Sequence, residues 1–288
     1  MSRPELQCPP DLFYNDREAK KYNSSSRMIA IQAEISARAI ELLALPEGVP
    51  GLILDVGCGT GLSGKSLEEA GHVWIGCDIS RDMLAIAEER ESKTGDLLWH
   101  DMGDGLPFKP ATFDGVISIS ALQWLCYSDD KRKDPKKRLA NFFTSLYRVM
   151  KRGARAALQF YPADPEQAIM VAQAATRAGF AGGLVVDYPN SAKAKKFYLC
   201  LSFEHSYTVP KALGEGGGGG GGVQAEGRQQ LQTNTHRWGP CIAVLLRPTR
   251  RRLLRSGCAR RRRQKHNCRL RRVRRDGRMA GGRGSVKE

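Results

Sequence analysis

Residues 28–45 carry apolar side chains at helical spacing, with Ile31, Ile35, Leu42 and Leu43 recurring along one face. Ser24, Ser25 and Ser26 put capping hydroxyls ahead of that stretch, and Pro46 and Gly48 stop it. The pattern then changes. Residues 51–56 (GLILDV) are a short apolar run of the kind a buried parallel strand shows. A helix at 62–70 and a strand at 73–77 follow, then a helix capped by Ser80 that runs to 90 with Met83, Leu84 and Ala87 apolar. Residues 97–100 and 113–119 read as strands, 136–150 as a helix behind the charged loop 128–134, 156–160 as a fifth strand, and 165–178 as a helix stopped by Gly179. Residues 184–187 and 197–203 are two last strands, close enough in sequence to pair antiparallel. This alternation predicts an α/β domain: a doubly wound, mostly parallel seven-stranded sheet with helices on both faces. Ligands in such domains sit at the carboxyl ends of the strands.

Composition adds a boundary. With 41% apolar residues among 288 the chain can build a core, and no run approaches the ~20 apolar residues that span a bilayer. The start is polar and proline-rich, unlike a secretory signal. Eight cysteines without paired spacing, and no export signal, read as reduced thiols of the cytosol or nucleus; no metal site is expected. The net charge of +16 is segregated: residues 213–288 hold 20 Lys+Arg against 4 Asp+Glu, whereas residues 1–212 hold 26 of each. The glycine run at 216–222 marks the seam and predicts a flexible linker followed by a disordered, Arg-rich tail. Such a tail suits phosphate contact with RNA or a nuclear-import address, with a solvated tail of no specific role as the plain alternative. Basic residues swing from 12 Arg and 14 Lys in the body to 18 Arg and 2 Lys in the tail. A shifted reading frame or retained intron would produce that swing, and native peptides around Trp238 in a mass spectrum would rule it out.

The chemistry concentrates at Asp55-Val56-Gly57-Cys58-Gly59-Thr60-Gly61, where a strand meets a helix through three alternate glycines. Glycine lets the backbone turn sharply and approach a ligand closely. A dinucleotide fingerprint from Gly57 requires Gly or Ala at position 62, which is Leu62. Residues 59–66 (GTGLSGKS) literally satisfy the phosphate-loop pattern, but the strand ends near Val56, two residues before the first matching glycine, so Lys65 reads as a solvated helix residue. The third reading is S-adenosylmethionine binding: Asp55 near the end of strand one, Gly57, Gly59 and Gly61 in the turn, and Asp78 ending strand two. Asp78 would accept the ribose hydroxyls, as an acid does in dinucleotide folds. Asp101 ends strand three, within reach of an adenine amino group. Three acids at successive strand ends favour this reading.

The acceptor is narrowed by what is missing. The turn after strand four, Ser118-Ile119-Ser120-Ala121-Leu122-Gln123-Trp124, lacks the Asn/Asp-Pro-Pro-Tyr device of base-amine methylation. Carbon methylation needs a thiolate, and the one Pro-Cys pair, Pro240-Cys241, lies in the tail; nearby Cys126 reads as a buried or loop thiol. Absence of both suits an acceptor with a free lone pair, such as a ring nitrogen, where catalysis needs in-line positioning and no general base. The charged stretches Lys131-Arg132-Lys133 and Lys136-Lys137-Arg138 argue mildly for RNA at the rim.

Several longer runs carry a closer resemblance: KYNSSSR at 21–27, ELLALP at 41–46, WIGCDIS at 74–80, ISISALQWLC at 117–126, QFYP at 159–162 and GFAGGLVVDYPNSAKAKKFYLCL at 179–201. Over residues 6–212 the chain resembles the eukaryotic 18S rRNA (guanine-N7)-methyltransferase family, the bud-site-selection or Williams–Beuren-region methyltransferases. The resemblance implies the class I S-adenosylmethionine-dependent methyltransferase fold and methyl transfer to N7 of one guanine in 18S rRNA. It also implies a nuclear and nucleolar role in maturation of the pre-40S particle, and a heterodimer with a small zinc-binding activator subunit that adds a strand at the sheet edge. Under it, Gly57, Cys58, Gly59 and Gly61 hold the methionine end of the cofactor, Asp78 and Ile79 its ribose, and Asp101 and Met102 its adenine. Ser118 lies by the methyl donor, and Gln123, Trp124, Tyr161 and Pro162 form the guanine pocket; core packing is the alternative for Trp124 and Tyr161. A small-molecule methyltransferase, and an assembly factor whose methylation is secondary, remain as other functions. Beyond about residue 223 the resemblance ends.

Overall fold

The computed structural model describes residues 3–128 and 134–214. The glycine run, the Arg-rich tail and Lys131-Arg132-Lys133 lie outside the described residues.

Seven strands form one sheet: β1 (Leu52–Val56), β2 (Val73–Asp78), β3 (Gly95–Trp99), β4 (Phe113–Ile119), β5 (Met150–Phe160), β6 (Ala181–Asp187) and β7 (Lys196–Ser202). Their order is β3-β2-β1-β4-β5-β7-β6. Strands β3 through β5 run parallel, and β7 lies antiparallel to both β5 and β6. Between β1 and β4 the order of winding reverses, which opens the crevice where doubly wound sheets bind ligands. The helices are α1 (Pro10–Phe13), α2 (Asp16–Ser24), α3 (Ser26–Leu43), α4 (Leu62–Glu69), α5 (Arg81–Glu88), α6 (Pro135–Val149) and α7 (Pro165–Ala178).

The period-2 alternation of strands divides the core into two layers. In β1 and β4, Leu54 and Val116 face Phe142, Phe143, Leu146 and Val149 of α6, with Val171 and Ala175 of α7 in the same layer. Their neighbours Ile53 and Ile117 face Ile35, Ala39, Leu42 and Leu43 of α3, with Leu67 of α4 and Trp74. Helix starts follow the capping chemistry: Ser25, Ser80, Asp134 and Asp164 each accept a hydrogen bond from the backbone N–H three residues on.

Two strands start three or more residues earlier than the apolar pattern predicts. β5 begins at Met150, directly from α6, because Phe113 pairs with Met150 before a register shift; its exposed Arg152 and Gly153 hide it as a turn. β6 begins at Ala181, through Gly182 and Gly183. Gly182 has φ +136°, and a Cβ there would collide with the Cys200 carbonyl, so strand pairing itself demands the glycine. The segment before α3, given no element by its pattern, folds into two short helices, the second capped by Asn15, whose Oδ1 accepts from the Glu18 N–H at 3.2 Å. No helix among the described residues is long and apolar enough to cross a membrane.

Candidate cofactor and substrate site

The glycine turn after β1 is shaped from two sides. Gly57 and Cys58 donate their N–H groups to the Cys77 carbonyl at 2.7 and 3.1 Å, locking the turn to β2. Gly57, Gly59 and Gly61 have φ of +74°, +53° and +78°, the left-handed region that side chains disfavour. A Cβ at Gly57 would collide with that of Ala121, so the β1 and β4 turns are in contact through that missing methyl group. Asp78 closes the arrangement: its Oδ2 accepts from Gly59 N–H at 2.9 Å and its Oδ1 from Ser80 N–H at 2.8 Å.

An open-sided cavity lies over this turn, at the carboxyl ends of β1, β2 and β4. Gly57, Cys58, Gly59, Asp78, Ile79, Asp101, Met102 and Trp124 line it, as the sequence predicts. Other expected residues sit behind the wall. Asp55 is fully buried beneath the turn, where its Oδ2 accepts from Ser63 Oγ at 2.5 Å and its Oδ1 has no partner. Gly61 caps α4. Ser118 is buried in β4 and donates to the Val56 carbonyl at 2.7 Å, holding two strands together and not facing the cavity. Gln123 is also buried: its Nε2 donates to the Ser120 carbonyl at 2.7 Å. Tyr161 and Pro162 follow β5 outside the lining, yet Tyr161 N–H donates to Gln123 Oε1 at 3.4 Å, and the Gln123 amide in turn holds the carbonyl of Ser120, which lines the cavity.

Four further features have no local signature in the sequence. The N-terminal segment folds back over the cavity, so that Pro10, Tyr14 and Tyr22 line it. Ser80 Oγ donates to the Tyr14 carbonyl at 2.7 Å, and Arg90 bridges the Thr60 carbonyl and Asn23, tying this strap to the glycine turn. Trp124 packs against Phe13 and Tyr14, with ring centroids 6.0 and 5.7 Å away, so packing occupies much of the indole expected to meet a base. Arg138 corrects the picture of a basic rim: Lys136 and Lys137 are exposed, but Arg138 is buried with its Nη2 at 2.6 and 2.8 Å from the two oxygens of Asp101. Asp101 Oδ1 also accepts from Gly103 N–H at 2.8 Å, leaving acceptor capacity on Oδ2 for an amino group.

Burial dominates the electrostatics. It pushes the Asp55 carboxyl up to about 7, against the pull of the Ser63 hydrogen bond. It also raises Asp78 from its ordinary value, opposed by the N–H donors of Ser80, Gly59 and Ile79. The Cys126 thiol is pushed up to about 12 by burial, with Asp164 and Glu5 adding to the effect, which removes it as a thiolate nucleophile. Lys65, the lysine of the phosphate-loop pattern, stands mid-helix on α4, its side chain 64% exposed and 3.7 Å from Glu69. A nucleotide cradle needs that lysine at the helix start, so the phosphate-loop reading fails on geometry.

The donor set fits S-adenosylmethionine. Thr60 Oγ1 is buried at the cavity wall without a partner, and Asp78 and Asp101 keep lone pairs beyond those the protein uses. The amino-acid comparisons agree. A family model described as a methyltransferase domain matches residues 54–158. The 18S rRNA (guanine-N7)-methyltransferase of Mus musculus is 57% identical over 213 residues, 74% of this chain and 75% of that one. Its Arabidopsis thaliana counterpart is 56% identical over 202 residues, 70% of each chain. Among solved structures, a methyltransferase in complex with the Haloferax volcanii Trm112 methyltransferase activator is similar at 17% identity and a TM-score of 0.48, over 64% of this chain and 97% of that one. With the glycine turn, the acids at three strand ends and identities above one half all in agreement, this chain belongs to the 18S rRNA (guanine-N7)-methyltransferase family.

Proposed function

We propose that the protein methylates N7 of a guanine in 18S rRNA, with S-adenosylmethionine as donor, during assembly of the small ribosomal subunit. The observation that carries this reading is the glycine turn pinned by Asp78 at the switch point of the sheet. In it, Asp78 and Ile79 hold the ribose, Asp101 and Met102 the adenine, and the turn at Gly57–Gly59 with Thr60 the methionine end. The bound cofactor supplies an electrophilic methyl group. Guanine N7 offers a lone pair with no proton to remove, so the chain has to orient the base and exclude water. Tyr161, held by Arg3 through its carbonyl at 2.5 Å and by Gln123 through its N–H at 3.4 Å, supplies the aromatic face beside the cavity. Trp124, Gln123 and Pro162 support that wall.

The activator subunit belongs at the free edge of β3. There Trp99 is exposed, with the Arg81 guanidinium 3.9 Å from its ring, next to backbone groups without a strand partner. Edge pairing plus an aromatic anchor suits strand addition by a zinc-binding partner. The place of work is the nucleus and nucleolus, where the small subunit is assembled. The test is complementation: cells depleted of the protein receive wild type or Asp78→Ala, and N7-methylguanine in 18S rRNA is mapped by reduction and strand scission. Methylation restored by wild type alone supports the reading; methylation unaffected by depletion overturns it.

A further inference from the structure

The NSAKAKKF run stands out in the sequence, and nothing above uses it. It forms the connection from β6 to β7. In the antiparallel register Phe160 pairs with Phe197, so Lys196 and Tyr161 emerge side by side at the carboxyl edge of the sheet. Lys196 Nζ lies 5.8 Å from the Tyr161 ring centroid and donates to the Ala194 carbonyl at 3.2 Å. Tyr161 N–H in turn donates to Gln123 Oε1 at 3.4 Å, Gln123 Nε2 donates to the Ser120 carbonyl at 2.7 Å, and Ser120 lines the cavity. A continuous path therefore runs from the cavity through Ser120, Gln123 and Tyr161 to Lys196.

We propose that Lys193 and Lys196 form a phosphate-binding ledge that grips the single-stranded RNA flanking the target guanosine, with Tyr161 as the stacking face between ledge and cavity. This rests on the RNA-methyltransferase reading above and names the residues that hold the substrate backbone. Three observations carry it. First, the charges are uncompensated. The register partner of Lys196 is Asp187, but that carboxylate is already taken by Arg38 at 3.0 and 3.4 Å and by Leu213 N–H at 2.8 Å. Among the described residues no carboxylate lies within ion-pair distance of Lys196 or of the exposed Lys193.

Second, the turn is built. Ser191 N–H donates to the Tyr188 carbonyl at 3.0 Å, Ala194 N–H to Ser191 Oγ at 3.1 Å, and Lys195 N–H to the Ser191 carbonyl at 2.9 Å. Tyr188 N–H is itself anchored on the Leu213 carbonyl at 2.8 Å. Cations carried on an ordered turn lose less freedom on binding than cations on a free chain. Third, an aromatic face flanked by cations is the arrangement that proteins use to follow a single strand, stacking a base while neutralising its phosphates.

The test uses the full chain with its activator and the double variant Lys193→Gln/Lys196→Gln. A labelled single-stranded RNA containing guanine is titrated at several KCl concentrations, and S-adenosylmethionine is titrated separately as a check on the fold. The expected result is a roughly tenfold weaker RNA affinity at low salt, with the slope of log K against log[KCl] shallower by about 1.4, or 0.7 for each lost phosphate contact. Cofactor affinity stays at the wild-type value, KM for RNA rises and kcat holds. The double variant Lys193→Arg/Lys196→Arg restores the slope. An unchanged slope and affinity in the Gln variant, while wild type methylates RNA, overturns the ledge and leaves the proposed activity standing. Normal RNA binding with lost uptake into ribosomal precursor particles reassigns this face to a protein partner and also overturns the ledge. A wild-type protein that neither binds nor methylates RNA overturns the activity, and the ledge with it.

Discussion

Asp78 accepts two backbone hydrogen bonds while buried at the end of β2, so one carboxylate both shapes the glycine turn and presents its remaining lone pairs to the cavity. Hydrogen bonds to a charged group are worth about 1.5–3 kcal/mol. Asp78→Ala should therefore weaken S-adenosylmethionine binding by roughly 10- to 150-fold in a calorimetric titration; wild-type affinity would remove Asp78 from the site. Asp55 acts through protons. Its carboxyl titrates near 7 in the folded chain and near the ordinary carboxylate value in the unfolded one, so between those values the folded state holds the extra proton. Stability accordingly falls as pH rises through that window, by up to ~1.4 kcal/mol per pH unit. Asp55→Asn, which carries no ionisable proton, should flatten this dependence in denaturant titrations at pH 5 and pH 7; equal slopes in both proteins would contradict the assignment. Asp55, Gly57, Gly59 and Asp78 were legible in the sequence because strand, alternate glycines and strand-end acids are local patterns. Tyr14, Tyr22 and Arg138 were not. The first two reach the cavity only because the N-terminal segment folds back, and Arg138 is indistinguishable in sequence from its solvated neighbours Lys136 and Lys137.

At the scale of elements, the same motif that imitates a phosphate loop has a packing cause. Gly64 on α4 faces the Trp74 indole so closely that a Cβ would collide with the ring, and Gly95 on β3 meets the same ring. The glycine before Lys65 is thus there to let helix and sheet approach a large side chain. Alanine is favoured over glycine in a helix by about 1 kcal/mol. Even so, Gly64→Ala should lower stability by roughly 1–3 kcal/mol through overpacking, read as a fall in the denaturant midpoint; a gain in stability would mean that Trp74 has room to move. Helices α3, α6 and α7 were legible to within a few residues because caps, apolar spacing and Pro or Gly stops agree. The starts of β5 and β6 were hidden, since Arg152-Gly153 and Gly182-Gly183 look like turns: the first pair sits in the bulge between Met150 and Arg155, and the second is held in the sheet by its partners in β7.

For the whole molecule, the alternation of strands and helices specified a doubly wound sheet, and the spacing of the last two strands specified an antiparallel pair. Insertion of β7 between β5 and β6 carries no mark in the chain itself, because strand order is set by which faces are left to cover. One ionic link then closes the far side of the sheet. Arg38 on α3 joins Asp187 at the end of β6 and donates to the Lys211 carbonyl at 2.9 Å, while Asp187 also receives Leu213 N–H. Asp187 is 2% exposed, so Arg38→Ala leaves a buried carboxylate without its cation and should cost about 3–5 kcal/mol. A thermal midpoint within a degree of wild type would show that water reaches Asp187.

That link also acts as a clasp. Tyr207, Val209 and Ala212 pack on the α3 layer, and Asp187 fastens Leu213, so the segment after β7 is drawn back over the sheet and tied there. The last strand layer is thus locked by the chain that leaves it, and loosening Leu213 would loosen α3 and β6 together.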